Sequence, residues 1–498
     1  MKKTLSLLYP FFFAVYPILE LRNHNIAYVD SASLFRPIIL SIFLTGLIWV
    51  VLRVFIRDWQ KTGIIATLIM VSFFSYGHVY IQIEAAFGEP IRHRDLMLIF
   101  GVLVLLLSGW IIWKVKKLGG ITDFLIVTGS ALLVFSLAPS LQHDISAYQA
   151  VQHSNREQDF VIGTVGDGIQ KPDIYLIVLD AHTGSDVLKK DFDYDNSSFI
   201  QELKDMGFYV AECAQSNYPA SRLSVTATFR AKYHEEPTLY PVSSSLTIET
   251  VRSLGYKVIT FENRSNGHFD VGEDMRLSRN QMALGRIDIT GGLSEFDMLL
   301  LKTSFFRIIY DMPQLVPGLD EQMLQKTEFY EHYQQTHFIL DELKQLPDMD
   351  GPKFVFAHIL VPHPPFIFAP SGKFRWLGKA KGYLSNVEFI DSQIAQVADE
   401  IIKKSRIPPI IIIMGDHGPS GVPVTRQMRM SILNAYYVND QARKDLYETI
   451  TPVNSFRVVF NNYFGTDYPL LGDKSYYSYD LGNSTAETLV QNNCQVSP

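Results

Sequence analysis

Apolar residues are concentrated in the first part of the chain, in runs whose lengths match those of helices that cross a bilayer. A transmembrane helix needs about 20 predominantly apolar residues. The pattern predicts five such spans, at about residues 5–19, 37–54, 63–83, 96–113 and 121–137. The first span is short and contains Pro10 and Pro17, so a cleaved signal peptide is the alternative. It lacks a small-residue cleavage site and further spans follow it, which favours a retained helix. We therefore predict a membrane domain of about five helices over residues 1–141.

The basic residues between these spans predict the orientation of the membrane domain. If all five spans cross, one side carries most of the lysine and arginine: Lys2, Lys3, Arg53, Arg57, Lys61, Lys114, Lys116 and Lys117. Short loops rich in basic residues stay in the cytoplasm. Everything after about Leu141 should then lie outside the cytoplasm. This pattern predicts a multi-pass protein of a bacterial-type cytoplasmic membrane, with a periplasmic or extracellular domain.

Polar residues dominate from residue 142 to residue 171, which we interpret as a linker. Beyond it, short apolar runs alternate with amphipathic segments. Strands are predicted at 173–179, 208–211, 256–261, 354–360 and 410–414, and helices at 199–206, 246–254, 328–346 and 385–404. This alternation predicts an α/β domain over residues 172–498, with a mostly parallel sheet covered by helices on both faces.

Acidic and imidazole side chains follow two of these strands. Asp416 and His417 come directly after the strand at 410–414 and Gly415, and Asp180 follows the strand at 173–179. Open α/β sheets bind ligands at the carboxyl ends of their strands. Two carboxylates and an imidazole suit a divalent metal. The alternative for each residue alone is a hydrogen-bonded turn or a helix cap.

Two other loops present groups of matching chemistry. Ser221 lies where a loop becomes a helix, a position whose backbone N–H groups favour an anion. Ser224, one turn further, is the alternative hydroxyl, and Arg222 is either a clamp for an anionic group or a surface charge. His363 lies in a proline-rich loop after the strand at 354–360.

Four further polar residues of the α/β domain are assigned no chemistry. His358, within a strand, is interpreted as structural. The helix carrying Tyr383, Asn386 and Asp391 is predicted to expose them on a solvated face.

Composition narrows the classes of function. Hydrophobic residues make up 47% of the 498 residues, which agrees with membrane spans, and the net charge of -7 offers no basic surface for nucleic acid. Cys213 and Cys494 are the two cysteines. They are compatible with an exported domain, but their pairing is left open.

The motifs taken together resemble the alkaline phosphatase superfamily, in the branch of membrane-anchored sulfatase-like proteins related to lipoteichoic acid synthases and phosphoethanolamine transferases. The resemblance lies, in family order, in residues 172–180, 216–221, 361–366, 414–418 and 451–457. It covers the chain from about Lys171 to Tyr477, and the multi-span amino terminus agrees with it.

The resemblance implies a role for each candidate residue. Asp180, Asp416 and His417 would bind one divalent cation, Mn²⁺ or Mg²⁺ by preference and Zn²⁺ as an alternative. Ser221 would complete the metal site and act as the nucleophile, a position that the transferase branch usually fills with threonine. His363 would bind substrate or act as general acid, and Arg222 would bind substrate.

The implied activity is transfer of a phospholipid-derived phosphoalcohol group, of the phosphoglycerol or phosphoethanolamine type, to an envelope glycan or lipid through a covalent serine intermediate. One alternative is a sulfatase-like hydrolase of phosphodiesters or sulfate esters. The Cys/Ser-x-Pro-x-Arg signal for formylglycine is absent around Pro219, where Asn217 and Ser221 stand, and this counts against an ordinary sulfatase. The second alternative is a catalytically silent scaffold for envelope assembly.

Overall fold

A computed structural model describes residues 8–25, 31–87, 92–154, 170–234, 241–262, 269, 271–278, 295–312, 315, 321–479, 485 and 487–494. The chain divides into two compact units. The first unit comprises Met1–Ser146 and Met282–Glu328, and the second comprises Ala147–Gln281 and Phe329–Pro498. This division differs from a simple boundary between membrane domain and linker, because residues 282–328 belong with the amino-terminal helices.

The helices are α1 (Tyr9–His24), α2 (Phe35–Phe55), α3 (Trp59–Phe87), α4 (His93–Trp113), α5 (Gly119–Ser154), α6 (Ser185–Phe192), α7 (Ser197–Asp205), α8 (Ser221–Arg230), α9 (Leu246–Ser253), α10 (Glu295–Thr303), α11 (Arg307–Asp311), α12 (Glu321–Leu343), α13 (Lys379–Lys404), α14 (Arg426–Met430), α15 (Asp440–Lys444) and α16 (Ser455–Phe464). The strands are β1 (Ile174–Leu179), β2 (Tyr209–Val210), β3 (Lys257–Phe261), β4 (Met275–Leu277), β5 (Lys353–Ile359), β6 (Ile410–Gly415) and β7 (Asn434–Tyr437).

Helices α1 to α5 overlap the five predicted spans, with bounds that differ by up to about five residues at most ends and by more at the end of α5. Within the described residues, α2, α3, α4 and the Gly119–Gln142 part of α5 are long and apolar enough to cross a membrane, whereas α1 has only 16 residues. Helix α5 continues to Ser154, so the predicted linker begins as helix. Residues 155–169 of that linker lie outside the described part of the chain.

The second unit is built on one seven-stranded sheet with the order β2-β7-β6-β1-β5-β3-β4. Strand β1 pairs in parallel with β5 and β6, and β3 pairs in parallel with β5 and β4. Only the pairs β6–β7 and β2–β7 are antiparallel. Alternate residues of β1 enter two apolar cores on opposite faces of the sheet. The predicted α/β fold with a mostly parallel, two-sided sheet is confirmed, although β4 and β7 were not predicted.

Candidate metal centre

The register of the central strands brings Asp180 and Asp416 together. Leu179, the last residue of β1, lies opposite Gly415, the last residue of β6. The next residue on each strand is therefore an aspartate at the same level of the sheet. Potential ligand atoms of Asp180, Asp416 and His417 all lie within 4.8 Å of one another, and all three residues are buried. These three predicted ligands form one cluster.

The hydrogen bonds around the two carboxylates leave one oxygen of each facing the cluster. The backbone N–H groups of Ala181 and His417 donate to Asp416 Oδ1 at 3.0 and 2.9 Å. Asp416 Oδ2 and Asp180 Oδ1 are buried and have no hydrogen-bond partner among the described residues. An unsatisfied buried acceptor costs about 1–3 kcal/mol, and more when it is charged. A divalent cation would satisfy both oxygens, so the residues present fit a metal ion.

His417 presents the correct nitrogen to the same point. Its Nδ1 lies 2.9 Å from the carbonyl oxygen of Gly418, which can only accept, so Nδ1 carries the proton. The lone pair of Nε2 then faces the carboxylates, 3.6 Å from Asp180 Oδ1 and 3.5 Å from Asp416 Oδ2. Burial lowers the pKa of His417 to about 3, which keeps the ring in the neutral form that binds metals.

The charge balance of the cluster also favours a cation. Burial and the negative charge of Asp416 raise the pKa of Asp180 to about 8. Two buried carboxylates this close cannot both ionise at low cost, so in the absence of a counterion Asp180 holds a proton. A metal ion would take the place of that proton.

The structure places Ser221, and not Ser224, beside this cluster. Ser221 is the first residue of α8, and its Oγ lies 3.2 Å from Nε2 of His417. Ser224 is fully buried one turn further along α8. Its Oγ has no hydrogen-bond partner among the described residues. Of the two predicted hydroxyls, Ser221 is therefore the one that contacts the candidate cluster.

His363 and Arg222 lie next to elements of the site. The backbone N–H of His363 donates to the carbonyl oxygen of Asp180 at 2.9 Å, and its Nδ1 lies 2.8 Å from the carbonyl oxygen of Pro364. Arg222 follows Ser221 in the first turn of α8 and is half-buried. The backbone of His363 thus contacts Asp180, and the charge of its ring contributes to the lowered pKa of His417.

His358, which was interpreted as a structural residue, lies beside the cluster. Its Nε2 lies 3.5 Å from Asp180 Oδ2 and 3.9 Å from Asp416 Oδ2. His358 pairs with Val178 across the β1–β5 ladder. Side chains two residues apart share a face of a sheet, so a residue level with Val178 points to the side of Asp180. This relation requires the strand order, which the sequence alone did not supply.

Arg429 connects the loop before Ser221 with the loop after His417. Its Nε donates to the carbonyl oxygen of Pro219 at 2.8 Å, and its Nη1 donates to that of Pro419 at 2.9 Å. Pro219 lies two residues before Ser221, and Pro419 two residues after His417. A planar guanidinium can hold two acceptors in fixed geometry. Arg429 was not among the residues singled out from the sequence, because nothing in its local pattern marks it.

The prediction that Tyr383, Asn386 and Asp391 lie on a solvated face is wrong, since all three are buried. The Tyr383 hydroxyl donates to the carbonyl oxygen of Ala181 at 3.0 Å, and Asn386 bonds backbone groups of Pro365 and Phe368. Asp391 Oδ1 lies 2.6 Å from Nε2 of the buried His182.

Tyr383 also supports an unusual backbone conformation beside the ligands. Ala181 has a φ of 68°, in the left-handed region that costs an alanine roughly 1–2 kcal/mol. Its N–H is held by Asp416 and its carbonyl by Tyr383, so both sides of the strained residue are fixed. The face of α13 turned toward the sheet therefore shapes the backbone around the metal centre.

The two cysteines form a disulfide. Cys213, just after β2, is bonded to Cys494 near the end of the chain, with their Cα atoms 5.5 Å apart. The pairing that the sequence left open is thus present.

A family model described as Sulfatase matches residues 172–459, more than half of the chain. The chain belongs to the sulfatase family. It is a sulfatase-like enzyme, and the resemblance inferred from its motifs is confirmed. No curated protein matches the sequence.

Several solved structures are similar to the chain at low sequence identity. The C-terminal periplasmic domain of EcEptC from Escherichia coli, in complex with Zn, shares 10% identity with a TM-score of 0.43, over 66% of this chain and 94% of that chain. The corresponding domain of phosphoethanolamine transferase EptC from Campylobacter jejuni shares 12% identity with a TM-score of 0.39, over 64% and 96%. The integral membrane lipooligosaccharide phosphoethanolamine transferase A (EptA) from Neisseria meningitidis shares 13% with a TM-score of 0.39, over 92% and 95%. Identities and TM-scores this low carry no conclusion about activity, and the family assignment rests on the match over residues 172–459.

Proposed function

We propose that this sulfatase-family enzyme is a metal-dependent transferase that moves a phosphoalcohol group from a membrane phospholipid to an envelope glycan or lipid. The observation that carries the proposal is the position of the Ser221 hydroxyl. It lies 3.2 Å from Nε2 of His417, beside Asp180 and Asp416, each of which has one buried oxygen, Oδ1 and Oδ2 respectively, without a hydrogen-bond partner among the described residues. Helices able to cross a membrane, in the same chain, favour a lipid as donor.

Asp180, Asp416, His417 and Ser221 would hold one divalent cation. When bound, such an ion would neutralise the two carboxylates, lower the pKa of the Ser221 hydroxyl and withdraw charge from the attacked phosphoryl group. Oxygen-rich ligation with one imidazole suits Mn²⁺ or Mg²⁺, and Zn²⁺ is also accommodated. Asp180, Asp416 and His417 are the one group of this kind found among the described residues, which favours a single ion.

Ser221, His363 and Arg222 would each carry out a different part of the reaction. Ser221 Oγ attacks the phosphorus of the donor phosphodiester in line, forms a phosphoserine ester and displaces the lipid alcohol. His363 has its Nδ1 occupied by the carbonyl of Pro364, so its Nε2 would give a proton to the leaving oxygen. In the second half the same nitrogen would take a proton from the acceptor hydroxyl, whose oxygen attacks the phosphorus and displaces Ser221 Oγ as the alkoxide in which it entered the cycle. Arg222, next to Ser221, would pair with the anionic group being moved.

The proposed compartment is the outer face of a bacterial-type cytoplasmic membrane, on a multi-pass protein. The Cys213–Cys494 disulfide supports this placement, because disulfides persist in oxidising compartments such as the periplasm. The basic residues between the apolar helices support the same orientation.

Transfer from a headgroup-labelled phospholipid tests the proposal. The full-length protein, with Mn²⁺, should transfer the label and carry a phosphoalcohol adduct on the peptide that contains Ser221. The Ser221→Ala variant should lose adduct and transfer by 10³-fold or more, since it lacks the nucleophile. Ser224→Ala, the same change one turn away, is the matched control and should keep both.

The outcomes also separate the alternatives. Full transfer by Ser221→Ala would remove this residue from the mechanism. Label released only as free phosphoalcohol, whatever acceptor is supplied, would identify a hydrolase. Absence of bound metal together with absence of adduct would leave the scaffold hypothesis.

A further inference from the structure

In sequence order, one short stretch of the first unit lies between two elements of the second unit. It lies between β4 and α12, and its described part consists of α10, a turn at residues 304–306 and α11. We call residues 295–312 the hairpin. Phe296 of the hairpin packs in a buried cluster with Ala14, Ile18, Met70 and Phe74 of helices α1 and α3. The hairpin is therefore part of the packed core of the helical bundle.

The depth of the hairpin can be read from the charges of α3. Lys61 and Glu84 flank the apolar stretch 62–83, which holds no Asp, Glu, Lys or Arg. At 1.5 Å per residue this stretch rises about 33 Å, close to the roughly 30 Å of a bilayer core. The N–H of Phe305 donates to the carbonyl oxygen of Phe73 at 2.8 Å. Phe73 lies roughly 16 Å along the helix from Glu84, so the tip of the hairpin reaches the middle of the span.

Close backbone packing shows that this contact is built into the bundle. A Cβ added at Gly77 of α3 would lie 2.7 Å from both the carbonyl oxygen of Lys302 and the amide nitrogen of Ser304. Any side chain at position 77 would push the hairpin away. The glycine thus permits backbone-to-backbone approach between α3 and the turn.

Three of the charged residues of the hairpin, Asp297, Arg307 and Asp311, form ion pairs with residues of the bundle. Three ion pairs hold the hairpin: Arg36–Asp297, Arg307–Glu84 and His93–Asp311. Asp311 also accepts from Arg307 Nε at 2.6 Å. Arg36 and His93 lie at the first turns of α2 and α4. These three charges are therefore paired, and the ammonium group of Lys302, in the last turn of α10, lies 4.6 Å from the centre of the Tyr310 ring.

The turn satisfies its own backbone, as a segment inside hydrocarbon must. Beyond the bond from Phe305 to Phe73, the N–H of Phe306 donates to Ser304 Oγ at 3.3 Å and that of Arg307 to the Ser304 carbonyl at 3.0 Å. The side chains of Phe305 and Phe306 nevertheless remain 37% and 45% exposed. Both rings also pack on Phe73, and their exposed parts, at mid-span depth, favour an apolar surrounding.

We propose that the hairpin is a re-entrant membrane segment whose exposed rings, Phe305 and Phe306, contact the acyl chains of surrounding lipids. The inference does not depend on the transferase reaction. Its consequence is a second attachment to the bilayer: the chain of the second unit is tied to the membrane after α5 and again between β4 and α12.

Cysteine accessibility tests the inference in the full-length protein reconstituted into phosphatidylcholine nanodiscs. Phe306→Cys is compared with Trp376→Cys, because Trp376, in the second unit, is exposed to a similar extent, 49%. The native cysteines are bonded to each other. A membrane-impermeant maleimide should label Phe306→Cys at least 10-fold more slowly than Trp376→Cys, since a thiolate does not form in hydrocarbon.

Lipid proximity is then measured directly. A fluorophore attached through a membrane-permeant reagent to Phe306→Cys should be quenched by nitroxide groups on the acyl chains, and one on Trp376→Cys should not. Equal labelling rates in the two variants would overturn the inference, and so would slow labelling without quenching by lipid. Should Phe306→Cys fail to assemble, Phe305→Cys gives the same two readouts.

Discussion

Replacing Asp180 with asparagine should stabilise the metal-free protein and abolish its response to metal. Asparagine keeps the size of the side chain and removes the charge. In the absence of a cation, burial and the neighbouring Asp416 raise the pKa of Asp180 from 3.8 to about 8. The folded protein therefore holds a proton on Asp180 at neutral pH, whereas the unfolded chain releases it.

The size of the effect follows from this difference in proton binding. At pH 7, roughly three pH units above the unfolded pKa of 3.8, the unfolded chain has released the proton that the folded protein retains. This difference favours the unfolded chain by about 4 kcal/mol, at 1.36 kcal/mol per pH unit. Because the folded pKa is above the unfolded value, the stability of the metal-free protein falls as pH rises from about 4 to about 8. The Asp180→Asn variant should recover about 2–4 kcal/mol of unfolding free energy at pH 7, roughly 3–6 °C in Tm, and lose this pH slope.

Thermal unfolding of the detergent-solubilised protein measures both properties, first with EDTA between pH 5 and pH 8 and then with Mn²⁺. At 100 times its Kd, Mn²⁺ should stabilise the native sequence by about 2.7 kcal/mol and leave Asp180→Asn unchanged. Asp391→Asn is the matched control, because Asp391 is equally buried but its carboxylate is bonded to His182 at 2.6 Å. It should lose about 1–3 kcal/mol and keep the metal response. An Asp180→Asn variant that is less stable than the native sequence in EDTA, and still stabilised by Mn²⁺, would refute this reasoning.

Three further predictions concern residues around the site. Burial lowers the pKa of His234 to about 4, so the unfolded chain binds more protons than the folded one between about pH 4 and 6.5. Acidification through this range should therefore lower the free energy of unfolding by at most about 3 kcal/mol. Urea unfolding of His234→Gln should show a smaller loss over this range, and an unchanged loss would contradict the assignment. Arg429→Lys should lower kcat by about 10- to 100-fold with little change in KM, because lysine cannot hold the carbonyls of Pro219 and Pro419 in one planar geometry. An unaltered kcat would show that Arg429 has no positioning role. Reduction of the Cys213–Cys494 disulfide, which spans 281 residues, should lower stability by up to about 5 kcal/mol in thermal scans with and without dithiothreitol, and identical scans would contradict a structural bond.

Local pattern was sufficient for the predicted sheet and for the proximity of Asp180, Asp416 and His417. Parallel strands buried on both faces appear as continuous apolar runs, and their carboxyl ends lie along one edge of the sheet. Asp180 and Asp416 each follow such a run, so their proximity could be inferred without knowing which strands are neighbours. The five apolar spans were equally visible, because the required length and apolarity are properties of contiguous sequence.

Local sequence could not identify residues whose role depends on strand register or on packing between distant elements. His358 reaches the cluster because β5 lies beside β1 with Val178 opposite it. Ser221 and Ser224 have the same chemistry three residues apart, and the helical turn between them decides which one meets His417. Asp391 is polar within an amphipathic pattern, and burial against His182 rather than exposure to water is a property of the assembled core.

The sequence by itself determined the class of the fold, the presence of membrane helices and the chemical groups at the strand ends, since each depends on neighbouring residues and on the periodicity of strand and helix. Only the tertiary structure decided that Arg429 bridges two loops and that residues 282–328 belong with the membrane helices. The physical reason is that an amphipathic segment buries its apolar face equally well against a sheet or against a helical bundle. Its partner is chosen by complementary charges and close backbone contacts that lie hundreds of residues away in the chain.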